Sequence, residues 1–417
     1  MLNMRKDFPA LFQNNPKNGK PPIYLDSATM SLRPRSVISS VVEYYEKFPA
    51  CSGRGRSAHW FAEEVNLRVD QARENIQRFV NAKSPDEIVF CKNTTEALNL
   101  VAQAFSFKRG DVVLISNKEH NSNLCPWQEL KNKGIIEYQV IERDKTFDLD
   151  RFKKALSNER VKLVSMAHTS NLDGYTLPAE EIVSLCHNRP QGYVYVMFDG
   201  AQSVPHLPVD VQKLDVDFLA FSVHKMCGPS GVGVLYLKKE LYPVLGSFIT
   251  GGGTIRKTHY YELPEYWEGT PTKYEAGLQN YAGIIGAGSA VEYLTTDERI
   301  RKLPSHEYEL NKILTDALEE YHQSGIIEIL GPLEPRKRAG ILTFEADQAA
   351  LNEITEKCLA SNVMFRAGNF CVDSFCELRR RPGRVRLSVY LYNNIEDCNM
   401  FLEIAKPVLE KEFLARS

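Results

Sequence analysis

Asp217-Phe-Leu-Ala-Phe-Ser-Val-His-Lys225-Met-Cys-Gly-Pro-Ser-Gly-Val-Gly233 is the stretch on which the reading of the fold turns. An apolar strand runs up to a lysine, and a Gly- and Pro-rich turn follows it. A second apolar run, Tyr193-Val-Tyr-Val-Met-Phe198, ends in Asp199-Gly-Ala-Gln202. Near-continuous hydrophobic strands belong to a sheet buried on both faces. Polar residues at their ends mark where the chain emerges beside a ligand, beyond the carboxyl ends of the strands.

Working outward, further apolar runs occupy residues 87–91, 111–115, 135–141, 161–166 and 232–237. Helical patterns lie between several of them, as at Ala97–Phe105 and Ala179–Cys186. This alternation predicts an α/β fold with a mostly parallel sheet covered by helices. Before it, Val65, Val69, Ala72, Ile76 and Phe79 mark one helix face. After it, the Gly- and aromatic-rich stretch 251–267 reads as a loop or hairpin excursion. Helical patterns dominate from Ala282 to Tyr321, and strand-like runs return at 341–344 and 385–389. The expected division is an N-terminal arm (1–22) packing with the small domain, a large domain (23–299), and a smaller α+β domain (300–417).

The chain of 417 residues is long enough for two domains with their own cores. It is 43% hydrophobic and 25% charged, as in a soluble globular enzyme. A net charge of −2 gives no basic field for nucleic acid or an anionic membrane. No run approaches the roughly 18 apolar residues of a membrane span, and the first residues lack the apolar core of a signal peptide, so the expected location is cytoplasmic. Nine irregularly spaced cysteines read as mostly reduced and buried. They form no CxxC pair, and no metal site is expected.

Taken singly, Lys225 is an ordinary strand end and Asp199 an ordinary turn residue. As a pair they suit pyridoxal phosphate chemistry. The lysine holds the cofactor aldehyde, and the aspartate keeps the pyridinium nitrogen protonated so that the ring accepts electrons. The phrase Asp199-Gly-Ala-Gln202 with Phe221-Ser-Val-His-Lys225-Met-Cys-Gly-Pro-Ser-Gly231 resembles the class V aminotransferase superfamily of fold-type I pyridoxal phosphate enzymes. Within it, the similarity is to the Suf-type cysteine desulfurase and selenocysteine lyase branch, over residues 20 to 405. That resemblance implies a seven-stranded sheet in the large domain and a homodimer.

The resemblance also implies roles. Asn93-Thr94-Thr95-Glu96, between a strand and a helix, matches a turn on the cofactor phosphate, with Ser222 and His224 as further ligands. His120 matches a histidine stacked over the pyridine that relays protons. Asn171 lies beside cofactor and substrate, Gln202 on the ring hydroxyl, and Ala28, Asn171 and Arg386 on the substrate. Arg386 grips the amino-acid carboxylate through its planar fork. Cys371, in Arg366-Ala-Gly-Asn-Phe-Cys371, matches the thiol that accepts sulfur. The implied reaction takes sulfur from L-cysteine and leaves alanine. Lys225 removes the Cα proton, and Cys371 carries a persulfide to a sulfur-acceptor protein, an iron–sulfur scaffold or a reductant.

Four departures stand out. Asn369 and Phe370 replace two histidines before the nucleophile, so no adjacent imidazole activates it. Asn121 replaces the second histidine of Glu-His-His. Gly53-Arg54-Gly55-Arg56-Ser57 replaces His-Arg-Gly-x-His. Leu278 replaces a threonine that reaches the partner subunit's cofactor phosphate. Two other readings stay open. One is a different enzyme of the superfamily (selenocysteine lyase, aminotransferase, epimerase or β-lyase), and the other is a catalytically silent binding protein on the same fold.

Overall fold

The seven apolar runs are strands of one sheet, in the order Ile88–Cys91, Gly233–Leu237, Phe218–Ser222, Tyr195–Asp199, Val161–Ala167, Asp111–Ser116, Ile136–Ile141. Only Gly233–Leu237 runs against the rest. The fold is the α/β architecture the alternation predicts. This computed structural model describes residues 1–52, 57–379 and 383–416. The departure at Gly53, Arg54, Gly55 and Arg56 lies outside the described residues.

The central strands are buried throughout, which is why they read as unbroken apolar runs. One correction concerns the lysine. The strand stops at Ser222, and Val223–Lys225 form a single tight turn closed by the Met226 N–H on the Val223 carbonyl. The bend brings His224 and Lys225 out of the sheet at its carboxyl edge. There they meet Asp199 and the loops after three other strands.

Helix Trp60–Phe79 buries Val65, Val69, Ala72 and Ile76 against the almost wholly buried helix Tyr281–Thr295. A Cβ on Gly288 would lie 2.8 Å from the Ala72 Cβ, so only glycine permits this approach. The helical stretch predicted from Ala282 to Tyr321 is two helices. Asp297 and Glu298 adopt left-handed backbone and break it, and the second helix, Arg299–Gln323, begins there. The 251–267 excursion is a short antiparallel hairpin, Ile255–Lys257 with Glu265–Tyr266.

A second sheet is antiparallel, in the order Glu328–Ile329, Ile341–Ala346, Gly383–Ser388, Arg366–Ala367. Its core gathers Leu310, Leu314, Phe344, Leu387 and Phe401, with Leu25 from the N-terminal end. Ile23–Tyr24 pairs in parallel with Val363–Met364. Asp26 then bridges to Ser388, so the early chain is tied to this sheet just before it enters the site.

Candidate active site

A cavity of about 250 Å³ opens at the carboxyl edge of the large sheet, under the smaller one. Asp199, the last residue of its strand, is buried, and its Oδ1 accepts the Ala201 N–H at 2.9 Å. Lys225 faces the cavity. Burial lowers its amine to about 8, against the pull of Asp199 and helped by the charge of Arg386. A neutral amine is therefore accessible near neutral pH. Burial raises the Asp199 carboxyl, while the Ala201 N–H and Lys225 oppose that rise.

The helix Thr94–Ala104 starts at the cavity, capped by the Asn93 side chain on the Glu96 N–H at 2.9 Å. A Cβ on Gly233 would lie 2.5 Å from the Asn93 backbone, so glycine lets this helix start sit on the neighbouring strand. Ser222 Oγ accepts the Thr94 N–H at 2.8 Å and shares a 2.6 Å hydroxyl contact with Thr94. The Thr95 and Ser122 hydroxyls lie 2.7 Å apart. His120 caps the next helix through Nδ1, which accepts the Ser122 N–H at 3.1 Å. Burial, with Lys225 and Arg386, lowers this imidazole to about 4. Burial, Lys225 and Arg33 do the same to His224. Both rings are neutral at pH 7.

The opposite wall comes from the smaller sheet. Arg386 is buried, and its Nη1 donates to the Asn171 carbonyl at 3.0 Å and its Nη2 to Thr29 Oγ1 at 2.8 Å. The Phe370 ring lies 4.9 Å from the guanidinium carbon. Burial lowers Arg386 to about 10, which still leaves it charged. Among the described residues its Nε has no partner, and neither has the buried Oε1 of Gln202, whose Nε2 donates to the Ala28 carbonyl at 2.6 Å. Cys371 is exposed on a turn at the cavity mouth, near enough to act electrostatically on both Lys225 and Arg386.

These groups fit pyridoxal phosphate. A lysine amine and a buried carboxylate share the floor, helix-start N–H and hydroxyl groups stand at one end, and an unsatisfied amide oxygen faces inward. The aminotransferase class-V family pattern matches residues 23–401. The chain belongs to this family. A Synechocystis sp. protein named a probable cysteine desulfurase is 36% identical, covering 96% of this chain and 93% of that one. A Haloferax volcanii cysteine desulfurase is 34% identical, covering 92% and 88%. The solved structure of a Thermococcus onnurineus cysteine desulfurase superposes with a TM-score of 0.87 at 31% identity, covering 98% of each chain.

In this class-V chain the cavity brings together every candidate residue of the sequence reading, from Ala28 on the early segment to Arg386 on the small sheet. Leu278 stands elsewhere, largely exposed. Cys376, the neighbouring thiol, is buried with its sulfur 3.7 Å from the Asn369 carbonyl, and burial raises it to about 11. Asn369 and Phe370 supply no imidazole, and Cys371 shares the cavity with Lys225 and Arg386.

Sequence reasoning missed the supports. Asp26 and Thr29 flank Arg386, and Asp26 also pairs with Arg366 at 3.2 Å. Glu119 lies behind His120, its Oε2 accepting the Ala167 N–H at 2.8 Å, and burial lifts its carboxyl to about 7. Asp173 receives Lys118 at 3.0 Å and a two-pronged Arg143 at 2.9 and 3.0 Å. Burial alone would raise that carboxyl, but the two cations hold it well below the usual range. The triad pins the Asn171 loop to the segment before His120. The Glu119-His120 and Asn171-Leu-Asp173 stretches carried the only signal.

Proposed function

We propose that this chain is a pyridoxal phosphate-dependent cysteine desulfurase that moves sulfur from L-cysteine to Cys371 and leaves L-alanine. One observation carries the reading: a depressed lysine amine, a buried carboxylate, a buried arginine and an exposed thiol share one small cavity.

Bound there, the cofactor supplies an electron sink at the carbon bearing the substrate's amine. Lys225 is the residue that would hold it, with Asp199 for the ring nitrogen and Gln202 for the ring hydroxyl. Thr94, Thr95, Ser222 and His224 would take its phosphate, and neutral His120 would lie against its ring. Arg386 takes the substrate carboxylate, beside Asn171 and Ala28. Its unpartnered Nε supports this assignment, because a carboxylate satisfies a donor that the protein leaves unmet. Lys225, once its amine is free, removes the proton from Cα. The Cys371 thiolate then attacks the substrate sulfur. A sulfur–sulfur bond forms as the Cβ–sulfur bond breaks, the electron pair stays on Cβ and takes a proton there, and Lys225 returns a proton to Cα, which completes alanine.

The exposed turn under Cys371 suits delivery of the persulfide to another protein, such as an iron–sulfur scaffold. We assign the working unit as a homodimer, supported by apolar side chains in open solvent: Tyr260, Tyr261, Leu263 and Leu278. Sedimentation of the purified chain tests that assignment. We place the unit boundaries at the arm 1–22, the large unit 23–299 and the small unit 300–417, with Ile23–Leu25 crossing to the small sheet and its core. All nine cysteines are free, which supports a reducing, cytoplasmic setting, and no described helix is long and apolar enough to cross a membrane. Alanine and sulfide released from cysteine in equal amounts, with reductant present, test the reaction. Pyruvate or a keto acid in their place contradicts it.

A further inference from the structure

The Cys371 turn has an unusual backbone. The Val372 N–H donates to the Asn369 carbonyl at 2.9 Å, closing a turn whose central residues, Phe370 and Cys371, have φ of 54° and 58°. Side chains other than glycine and asparagine rarely adopt that conformation, and it persists only where the surroundings impose it. Here the surroundings come from the large unit. Asn171 Nδ2 donates to the Phe370 carbonyl at 2.8 Å, and the Asn121 N–H donates to the Cys371 carbonyl at 2.7 Å. Asn121 is the first residue of its helix, so this N–H has no partner within the helix and is free to hold the turn.

One carboxylate ties the two sides together. Asp373 Oδ2 accepts from Asn121 Nδ2 at 2.7 Å, and its Oδ1 accepts from Asn369 Nδ2 at 2.9 Å. Asn369 is held in turn by Arg384 Nη1 at 3.0 Å on its side-chain oxygen. Asn121 and Asn369 both stand where the Suf-type pattern carries histidines. The two departures meet on one side chain, one from each side of the cavity.

We propose that Asp373 is a positioning residue that locks the Cys371 turn against the His120 corner, so that the thiol meets the substrate sulfur at a fixed place. The proposal rests on the desulfurase reading. Neutral amide donors do not titrate, and their bonds hold the Asp373 carboxyl below its usual range, so the clamp stays intact across the working pH. Asp373 bonds Asn121 and Asn369, not Lys225 or Arg386, and the Phe370 contact with Arg386 is made by the ring, not by these bonds. Loss of the clamp therefore acts on sulfur transfer and leaves substrate capture and proton removal alone.

The test compares the full-length holoenzyme with Asp373→Ala, Asn121→Ala and the double variant. Alanine formation from L-cysteine reads the sulfur step. Exchange of the α-hydrogen of L-alanine in D2O reads Lys225 without needing the thiol. Amide hydrogen exchange of the peptide 368–376 reads the turn itself. In Asp373→Ala, kcat for alanine formation falls about 10-fold or more while KM stays within about twofold. The α-hydrogen exchange is unchanged, and amide exchange in the turn rises about 10-fold. The double variant is no worse than Asp373→Ala, because both substitutions break one link. Should Asp373→Ala not fold, Asn121→Ala decides by the same split. Unchanged kcat, or equal losses in alanine formation and α-hydrogen exchange, overturns the positioning role. A wild-type chain that makes no alanine overturns the desulfurase reading and this inference with it.

Discussion

Lys225 and Asp199 stand at the ends of neighbouring central strands, whereas Cys371 stands on an exposed turn of the smaller unit. The first pair is fixed by the sheet: Asp199 ends a buried strand, and Lys225 follows another by a single turn. The thiol sits on a turn held by hydrogen bonds that reach across to another part of the chain, and by Phe370 and Val372 buried on either side of it. The difference follows from what each group handles. In the proposed reaction a proton is removed and returned at one carbon, so its base gains from rigidity. In that reaction sulfur leaves the cavity, so its proposed carrier sits where it is exposed to solvent.

The largest expected effect lies on the rigid side. Lys225→Ala lowers alanine formation by about 1,000-fold or more, and borohydride no longer fixes a pyridoxyl group on the chain. A pyridoxyl group found on another lysine breaks the assignment. Next comes the structural support beneath both sides. Arg143→Ala removes the two-pronged partner of buried Asp173, leaving it the Lys118 ion pair and the Tyr175 N–H, and costs about 3–5 kcal/mol of stability in urea unfolding. A loss below about 1 kcal/mol would show that the triad does not pin these loops.

Arg386 lies between the two regions, on the small sheet but buried. Arg386→Ala weakens substrate capture by about 2–4 kcal/mol, read as kcat/KM for cysteine, and Arg386→Lys does not restore it. Unchanged turnover in either variant makes Arg386 structural. The smallest effect is a shift in pH. Below about pH 8 the Lys225 amine carries a proton and cannot attack the cofactor aldehyde, so the rate of holoenzyme formation from apoprotein rises through pH 8 and levels above it. Asp199 favours the protonated amine, so Asp199→Asn moves that rise to lower pH. A rise near pH 10 in the wild type would mean that the amine is not buried.

The same contrast governs what the sequence discloses. Strand ends are legible because an unbroken apolar run closed by a polar residue marks the point where a buried strand surfaces, and Asp199, Ser222 and Lys225 all stand at such points. Cys371 and Arg386 lie in the small unit, far along the chain from those strands, and only the resemblance connects them. Asp26 and Thr29 are not legible at all. They lie in a short polar segment near the N-terminus, and nothing local marks a contact with an arginine 360 positions later. Asp373 is hidden for the same reason, since its two partners are ordinary asparagines until the turn and the helix start come together.

The central claim is that sulfur passes to the thiol on the exposed turn. Mass spectrometry after a brief cysteine pulse without reductant tests it most directly, in the wild type, Cys371→Ala and Cys376→Ala. The added sulfur is expected on Cys371 in the wild type and in Cys376→Ala, which retains its activity because that thiol is buried and raised to about 11. Cys371→Ala is expected to carry none and to release no alanine. Persulfide on Cys376 alone, or full activity in Cys371→Ala, contradicts the account.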